Sequence, residues 1–197
     1  MIAILDYGAG NLKSVQNTLE AIGAQYTLVS NAAGIRGASK IILPGVGHFG
    51  QMMRALDELG VRHALRATLE GGTPFLGICL GLQSLFEGSA EAPEAEGLGI
   101  FPGRVERFGQ QDRVPHMGWN TLTPVRPGRL LDQDALPHVY FAHSYYVPVV
   151  PQTAATCTYM LPWTAVLESG NIYGVQFHPE KSGPAGIEIV RRFIELC

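Results

Sequence analysis

The sequence is poor in everything that would tie it to an oxidising compartment, a membrane or a nucleic acid. Its three cysteines among 197 residues, Cys79, Cys157 and Cys197, are odd in number, far apart and without a C-x-x-C spacing. Neither a disulfide framework nor a cysteine zinc site is expected. His48, His63, His116, His138 and His143 show no ligand spacing such as H-x-x-x-H and read as polar surface or structural groups, so no metal and no cofactor are expected. Lys and Arg number 14 against 17 Asp and Glu, a net charge of -3, and the basic residues are scattered. That gives no electrostatic footprint for nucleic acid or an anionic membrane. No hydrophobic run is long enough to span a bilayer, and the apolar start, Met1 to Leu5, is too short and lacks the basic beginning of a signal segment. A cytoplasmic chain is the expectation. Repeats and low-complexity tracts are absent. With 46% hydrophobic residues, the length suits one well-packed domain over residues 1–197 and is short for two.

What is present is a rhythm of short apolar runs and helical stripes. Met1 to Leu5 breaks at Asp6-Tyr7-Gly8-Ala9-Gly10-Asn11, after which Leu12, Val15, Leu19 and Ile22 recur at helical spacing. Asn11 suits an N-cap and Gly23 a stop. A dinucleotide loop is excluded because Lys13 stands where the third glycine of G-x-G-x-x-G belongs. Gln25 to Val29 and Lys40 to Leu43 read as strands, the second ending in Pro44-Gly45-Val46-Gly47 before one helical stretch carrying Phe49, Met53, Leu56, Leu65 and Leu69. A further strand runs into Cys79. Strands alternating with helices predict an α/β fold with a mostly parallel central sheet covered on both faces, a three-layer, flavodoxin-like arrangement. Ligands then sit at the carboxyl ends of the strands, where the loops at 6–11, 44–47 and Cys79 fall. From Ser89 to Pro151 short β-like pieces separated by Gly and Pro predict an antiparallel extension of that sheet. Ser169-Gly170-Asn171 marks a hairpin, and Pro184 opens a last helix striped by Ile187, Val190 and Ile194.

The stretch Gly77-Ile78-Cys79-Leu80-Gly81 has the Gly-x-nucleophile-x-Gly spacing of a nucleophile elbow. There the chain must turn from strand to helix within a tight, strained corner, and flanking glycines remove the Cβ atoms that would block it. A thiol at the first turn of a helix also meets the positive end of the peptide dipoles. A buried core cysteine fits the same stretch, and the presence of a base elsewhere decides between them. His178-Pro179-Glu180 supplies a candidate. On an extended segment residues two apart leave the same face, and Pro179 argues against helix. A carboxylate beside an imidazole can hold its tautomer and stabilise the imidazolium, so Cys79, His178 and Glu180 form a complete set for nucleophilic catalysis. The N–H after the nucleophile, at Leu80, is a natural oxyanion-hole donor, and the loop Pro44-Gly45-Val46-Gly47, otherwise a plain turn, is a natural source of the second.

The pairing of Gly-Ile-Cys79-Leu-Gly-Leu-Gln83 with Gln-Phe-His178-Pro-Glu180 resembles the class I, or triad-type, glutamine amidotransferases. Three more stretches, Asp6 to Ser14, Pro115 to Asn120 and Phe141 to Tyr146, are similar to one branch of that family, the glutaminases of histidine biosynthesis. The resemblance covers essentially the whole chain. Leu82 stands where such proteins often carry Met, a volume-conserving change. The resemblance implies that Cys79 attacks the carboxamide of glutamine to give a glutamyl thioester, with His178 as acid and base and Glu180 orienting it. It implies that Gly47, Gln83, Glu91 and the backbone of His143, Ser144 and Tyr145 recognise the amino-acid end of glutamine. It further implies a (β/α)8-barrel cyclase subunit as a heterodimeric partner that takes up the ammonia, with Asn11, Lys13, Trp119, Asn120 and Lys181 as interface candidates. Activity that stays low until the partner is loaded would follow from rotation of a peptide in residues 44–47, whose glycines permit both orientations.

Three rival readings make different demands. A glutaminase serving the synthesis of anthranilate, carbamoyl phosphate or pyridoxal phosphate shares the triad, but His116-Met117-Gly118-Trp119-Asn120 favours the histidine branch. A cysteine peptidase or γ-glutamyl hydrolase on the same fold would need no partner. A redox sensor with an exposed thiol would have no need of His178.

Overall fold

The computed structural model describes residues 1–109 and 113–197. The first half alternates as the sequence predicts: β1 (Ile2–Leu5), α1 (Leu12–Ile22), β2 (Tyr26–Val29), α2 (Ala32–Arg36), β3 (Lys40–Gly45), α3 (Phe49–Glu58), α4 (Arg62–Glu70), β4 (Phe75–Cys79) and the one-turn α5 (Leu80–Gln83). Asn11 stands at the N-cap of α1, yet its side chain takes the Ser14 hydroxyl at 2.8 Å and makes no capping bond to the backbone. Gly23 stops the helix in the left-handed conformation, φ 79°. The single helix expected between Phe49 and Leu69 is two. Gly60, at φ 64°, breaks it, and the apolar stripe runs on through both pieces because both pack on the same face of the sheet.

The second half holds β5 (Phe86–Ser89), β6 (Ala92–Glu96), β7 (Phe101–Arg107), β8 (His116–Thr121), β9 (Thr123–Pro124), β10 (His138–His143), β11 (Tyr145–Tyr146), β12 (Thr153–Tyr159), β13 (Leu161–Ser169) and β14 (Ile172–Val175), then a 3-10 turn, Pro179–Lys181, and α6 (Gly183–Leu196). The central sheet has the order β2-β1-β3-β4-β14-β13-β12-β9. Its first five strands are parallel, and β13, β12 and β9 extend it antiparallel. The extension is therefore smaller than the sequence predicts. Strands β5, β6, β7 and β11 form a separate four-stranded sheet, in which β5 and β6 are a local hairpin and β11 joins from farther along the chain, and β8 pairs with β10 alone.

Alternation places the core on both faces. Ile2, Ile4, Ile42, Leu76 and Ile78 pack with Val15 and Leu19 of α1 and Ile189, Val190 and Phe193 of α6. Ala3, Leu5, Ile41, Leu43 and Phe75 pack with α2, α3 and α4 on the other face. Strands buried on both sides read as continuous apolar runs, as parallel strands do. The carboxyl ends of β1, β3, β4 and β14 then share one rim, which carries residues 6–11, Val46, Cys79 and His178. Among the described residues no helix is long and apolar enough to cross a membrane.

Candidate active site

The elbow is built from backbone contacts that only glycine permits. Cys79 sits at φ 54°, ψ -106°, a conformation that costs a non-glycine residue on the order of 1–3 kcal/mol. A Cβ on Gly77 would lie 2.5 Å from the Gly81 carbonyl oxygen, one on Gly81 2.1 Å from that of Leu43, and one on Gly45 2.6 Å from Leu80 Cβ. Strand β4, the turn and β3 thus touch main chain to main chain, which leaves the strained Cys79 no room to relax. Because α5 is a single turn, its dipole is slight and acts little on the sulfur. The sulfur's partners are side chains: Gln176 Nε2 donates to it at 3.4 Å, and His178 interacts with it.

His178 follows β14 and its backbone N–H donates to the Tyr140 carbonyl at 2.9 Å, while Ser182 Oγ donates to the His178 carbonyl and accepts from Tyr140 N–H. The expected extended His178-Pro179-Glu180 segment is instead the start of the 3-10 turn, since proline at the first position of a helix loses no hydrogen bond. The turn still brings Glu180 Oε1 to 2.9 Å from His178 Nδ1, with side-chain exposures of 3% and 4%. Burial pulls the imidazole down, but the Cys79 sulfur and the Glu180 carboxylate outweigh it and push it up to about 10. The bond to Glu180 occupies Nδ1 and leaves Nε2 for the sulfur.

A cavity of about 190 Å³ opens over Cys79, lined by Val46, Gly47, Leu80, Gln83, Glu91, Pro115, Ala142, His143, Ser144, Tyr145 and His178. That is below the roughly 300–1,000 Å³ of drug-sized pockets and suits one small polar molecule. Every residue expected to bind substrate or an oxyanion reaches this wall. Gly47 sits at φ 98° with open space where a Cβ would be. Glu91 Oε2 accepts the Phe49 N–H at the start of α3, 2.8 Å away. Both Gln83 Nε2 protons are engaged, by the Tyr145 carbonyl at 2.9 Å and by Gln176 Oε1 at 3.0 Å, leaving its Oε1 for the cavity.

The interface candidates lie outside the cavity. Trp119 is 57% exposed and meets Tyr140 edge to face at 6.1 Å, while the Lys181 ammonium lies 5.8 Å from the same ring. Asn120 Nδ2 donates to the Thr158 carbonyl and faces His116. Lys13 is exposed, 3.9 Å from Glu20, and Asn11 bonds Ser14.

Sequence reasoning passed over the side chains of four residues near the site. Of the surface and structural readings left open for His116 and His143, the structural one holds: both are buried, and their rings stand 3.2 Å apart, nitrogen to nitrogen. Burial pulls them to about 4 and about 3, so both are neutral. Gln176 is fully buried, in a bend just past β14; its position two residues before His178 was the available signal that both reach the sulfur. Tyr7 is buried beneath the rim, and its hydroxyl makes no well-formed hydrogen bond among the described residues. Burial pushes that phenol up to about 12, against the opposing pull of the nearby Val46 backbone N–H.

A thiol on a strained corner, an imidazole held by a buried carboxylate and a small polar cavity can together carry out acyl transfer on a carboxamide or ester. The family model described as glutamine amidotransferase class-I matches residues 3–196. The chain belongs to the class-I glutamine amidotransferases. This amidotransferase is 46% identical over 197 residues to the imidazole glycerol phosphate synthase subunit HisH of Methanothermobacter thermautotrophicus, covering 100% of this chain and 98% of that protein. It is 45% identical to the HisH subunit of a Thermus thermophilus strain, with 98% of each covered. Among solved structures, one described as a glutamine amidotransferase superposes with a TM-score of 0.78 at 22% identity, covering 99% of this chain and 97% of that one. PurLQS of Thermotoga maritima gives 0.75 at 18% identity, with 98% and 96% covered. Both likenesses concern the amidotransferase fold.

Proposed function

We propose that this amidotransferase is the glutaminase subunit of imidazole glycerol phosphate synthase, acting in the cytoplasm as one domain over residues 1–197. The observation that carries the reading is the 2.9 Å bond from His178 to Glu180 beside a Cys79 held at positive φ at the floor of a small polar cavity. The relatives named HisH give the synthase.

The Cys79 thiolate adds to the side-chain carbonyl carbon of glutamine, and the oxyanion is held by the N–H groups of Leu80 and Val46. His178 protonates the departing nitrogen as the C–N bond breaks, leaving ammonia and a glutamyl thioester. It then takes a proton from water, whose oxygen attacks the thioester carbonyl; the C–S bond breaks, glutamate leaves and the thiolate is restored. Glu180 keeps the imidazole in the orientation and tautomer both steps need. Gln83 Oε1, Glu91 and Gly47, with the backbone of 143–145, hold the amino-acid end of the substrate.

Ammonia released into water would be protonated and diluted, so the chain must work docked to its acceptor enzyme. A (β/α)8-barrel cyclase subunit takes the ammonia and forms imidazole glycerol phosphate and an aminoimidazole carboxamide ribotide. Trp119 and Lys181, exposed against the half-buried Tyr140 ring, form the cluster that suits docking, with Asn11, Lys13 and Asn120 as further candidates.

The test is Cys79→Ala in complex with the cyclase. Glutamine-driven synthesis should vanish while synthesis from added ammonium salt continues. Persisting glutamine hydrolysis, or no copurifying barrel subunit, would overturn the reading. Rates for the chain alone, with the partner, and with partner plus nucleotide should rise in that order.

A further inference from the structure

Gln176 is completely buried and has no part in the chemistry above, yet its side chain touches the reacting sulfur. Its orientation is forced by a neighbouring backbone carbonyl. Tyr145 O can only accept, so the Gln83 atom 2.9 Å from it is the amide nitrogen. That nitrogen has a second proton, which points at Gln176 from 3.0 Å, so the Gln176 atom there must be the oxygen. Its other terminal atom, the amide nitrogen, therefore faces Cys79 Sγ at 3.4 Å, within reach for a donor to sulfur. The Gln176 backbone N–H donates to the Ala165 carbonyl at 3.0 Å and fixes the base of the side chain.

The same carbonyl orders a longer chain. His143 Nδ1 lies 2.8 Å from Tyr145 O and must donate to it, so its Nε2 accepts. His116 Nδ1, 3.2 Å from that Nε2, must then carry a proton, and its own Nε2 is left to accept from Asn120 at 3.4 Å. Burial keeps both rings uncharged, so neither tautomer is disturbed at neutral pH. Every donor in the run is directed by the Tyr145 oxygen, and the run ends on the sulfur.

We infer that Gln176 is a positioning residue for the nucleophile: its amide, aimed by Gln83 and Tyr145 O, donates a hydrogen bond to the Cys79 thiolate and holds it at the orientation from which it attacks. The inference deepens the proposed glutaminase reading and rests on Cys79 as nucleophile. A hydrogen bond to a charged group contributes about 1.5–3 kcal/mol, or roughly 10- to 100-fold in population. Once the thiolate has become a thioester it is a poor acceptor, and the bond is released.

The test reads the thiol directly, so that failure of the glutaminase reading would leave it interpretable. Q176M keeps the volume and removes the donor; the rate of Cys79 alkylation by iodoacetamide at pH 7 should fall about tenfold or more. In the unmutated chain, one of the two Gln176 side-chain amide protons should titrate strongly by NMR together with the onset of Cys79 alkylation, while its geminal mate does not. The variant alkylating at the wild-type rate, or the two protons responding alike, would overturn the inference. Should Q176M fail to fold, the NMR titration of the wild-type chain decides alone.

Discussion

The Nδ1 of His178 lies 2.9 Å from Oε1 of Glu180, and the two residues are joined by a proline-led 3-10 turn that is itself clamped by Ser182. The pair is joined by the local chain, and Tyr140 of β10 anchors the backbone at both His178 and the Ser182 clamp. Glu180→Gln should leave the fold intact and reverse the hydrogen-bond direction at Nδ1, favouring the wrong tautomer. Glutamine turnover should drop about 10²- to 10⁴-fold in kcat with KM changed little, measured by steady-state glutamate release in the complex.

Stability should depend on pH in two opposing ways. The folded values of His116 and His143 lie below the ordinary 6.5, at about 4 and about 3. Unfolded chains take up protons there first, so stability is whole above pH 6.5 and falls as pH drops toward 4 and below. His178 is raised to about 10, so its contribution is whole below 6.5 and fades as pH rises toward 10. Thermal melts should peak near pH 6.5–7 and fall on both sides; a Tm still rising at pH 4.5 would contradict this account.

Gly81→Ala would set a Cβ 2.1 Å from the Leu43 carbonyl oxygen, a backbone atom that cannot swing aside. A loss of about 3 kcal/mol, or roughly 6–12 °C in Tm, is expected. Gly37→Ala meets only an ordinary contact, 3.5 Å from Ala33 O, and should leave Tm nearly unchanged. Equal effects in calorimetry would remove the close-packing account of the elbow.

The Tyr7 hydroxyl lies against the one N–H that the proposed oxyanion hole draws from the Val46 loop. With the phenol oxygen gone, that peptide has one neighbour fewer holding it toward the interior. Tyr7→Phe should therefore raise partner-free glutaminase activity severalfold while leaving the fully activated rate unchanged. An unaltered basal rate would show that the hydroxyl does not restrain the loop.

The site was legible where its geometry is local. Gly77, Cys79 and Gly81 declare the elbow because its close contacts forbid side chains at two fixed offsets, and the contact of His178 with Glu180 was legible because two positions suffice to join them. The alternation of β1 through β4 was legible for the same reason, a period that needs no distant partner. What escaped depends on pairings across the chain. His116 meets His143 only because β8 pairs with β10, and Gln176 meets Gln83 across 93 positions. The break at Gly60 was hidden because both helices present the same apolar face, and the separate four-stranded sheet because local strand signals for β5, β6 and β7 do not say whether they join the central sheet.

The close packing of Gly45, Gly77 and Gly81 seats Cys79 on bare main chain, with no side chain there to exchange. Evolutionary retuning of such a chain must act on its periphery, where exposed side chains such as Trp119 can be traded, while the seat of the sulfur is inherited as it stands.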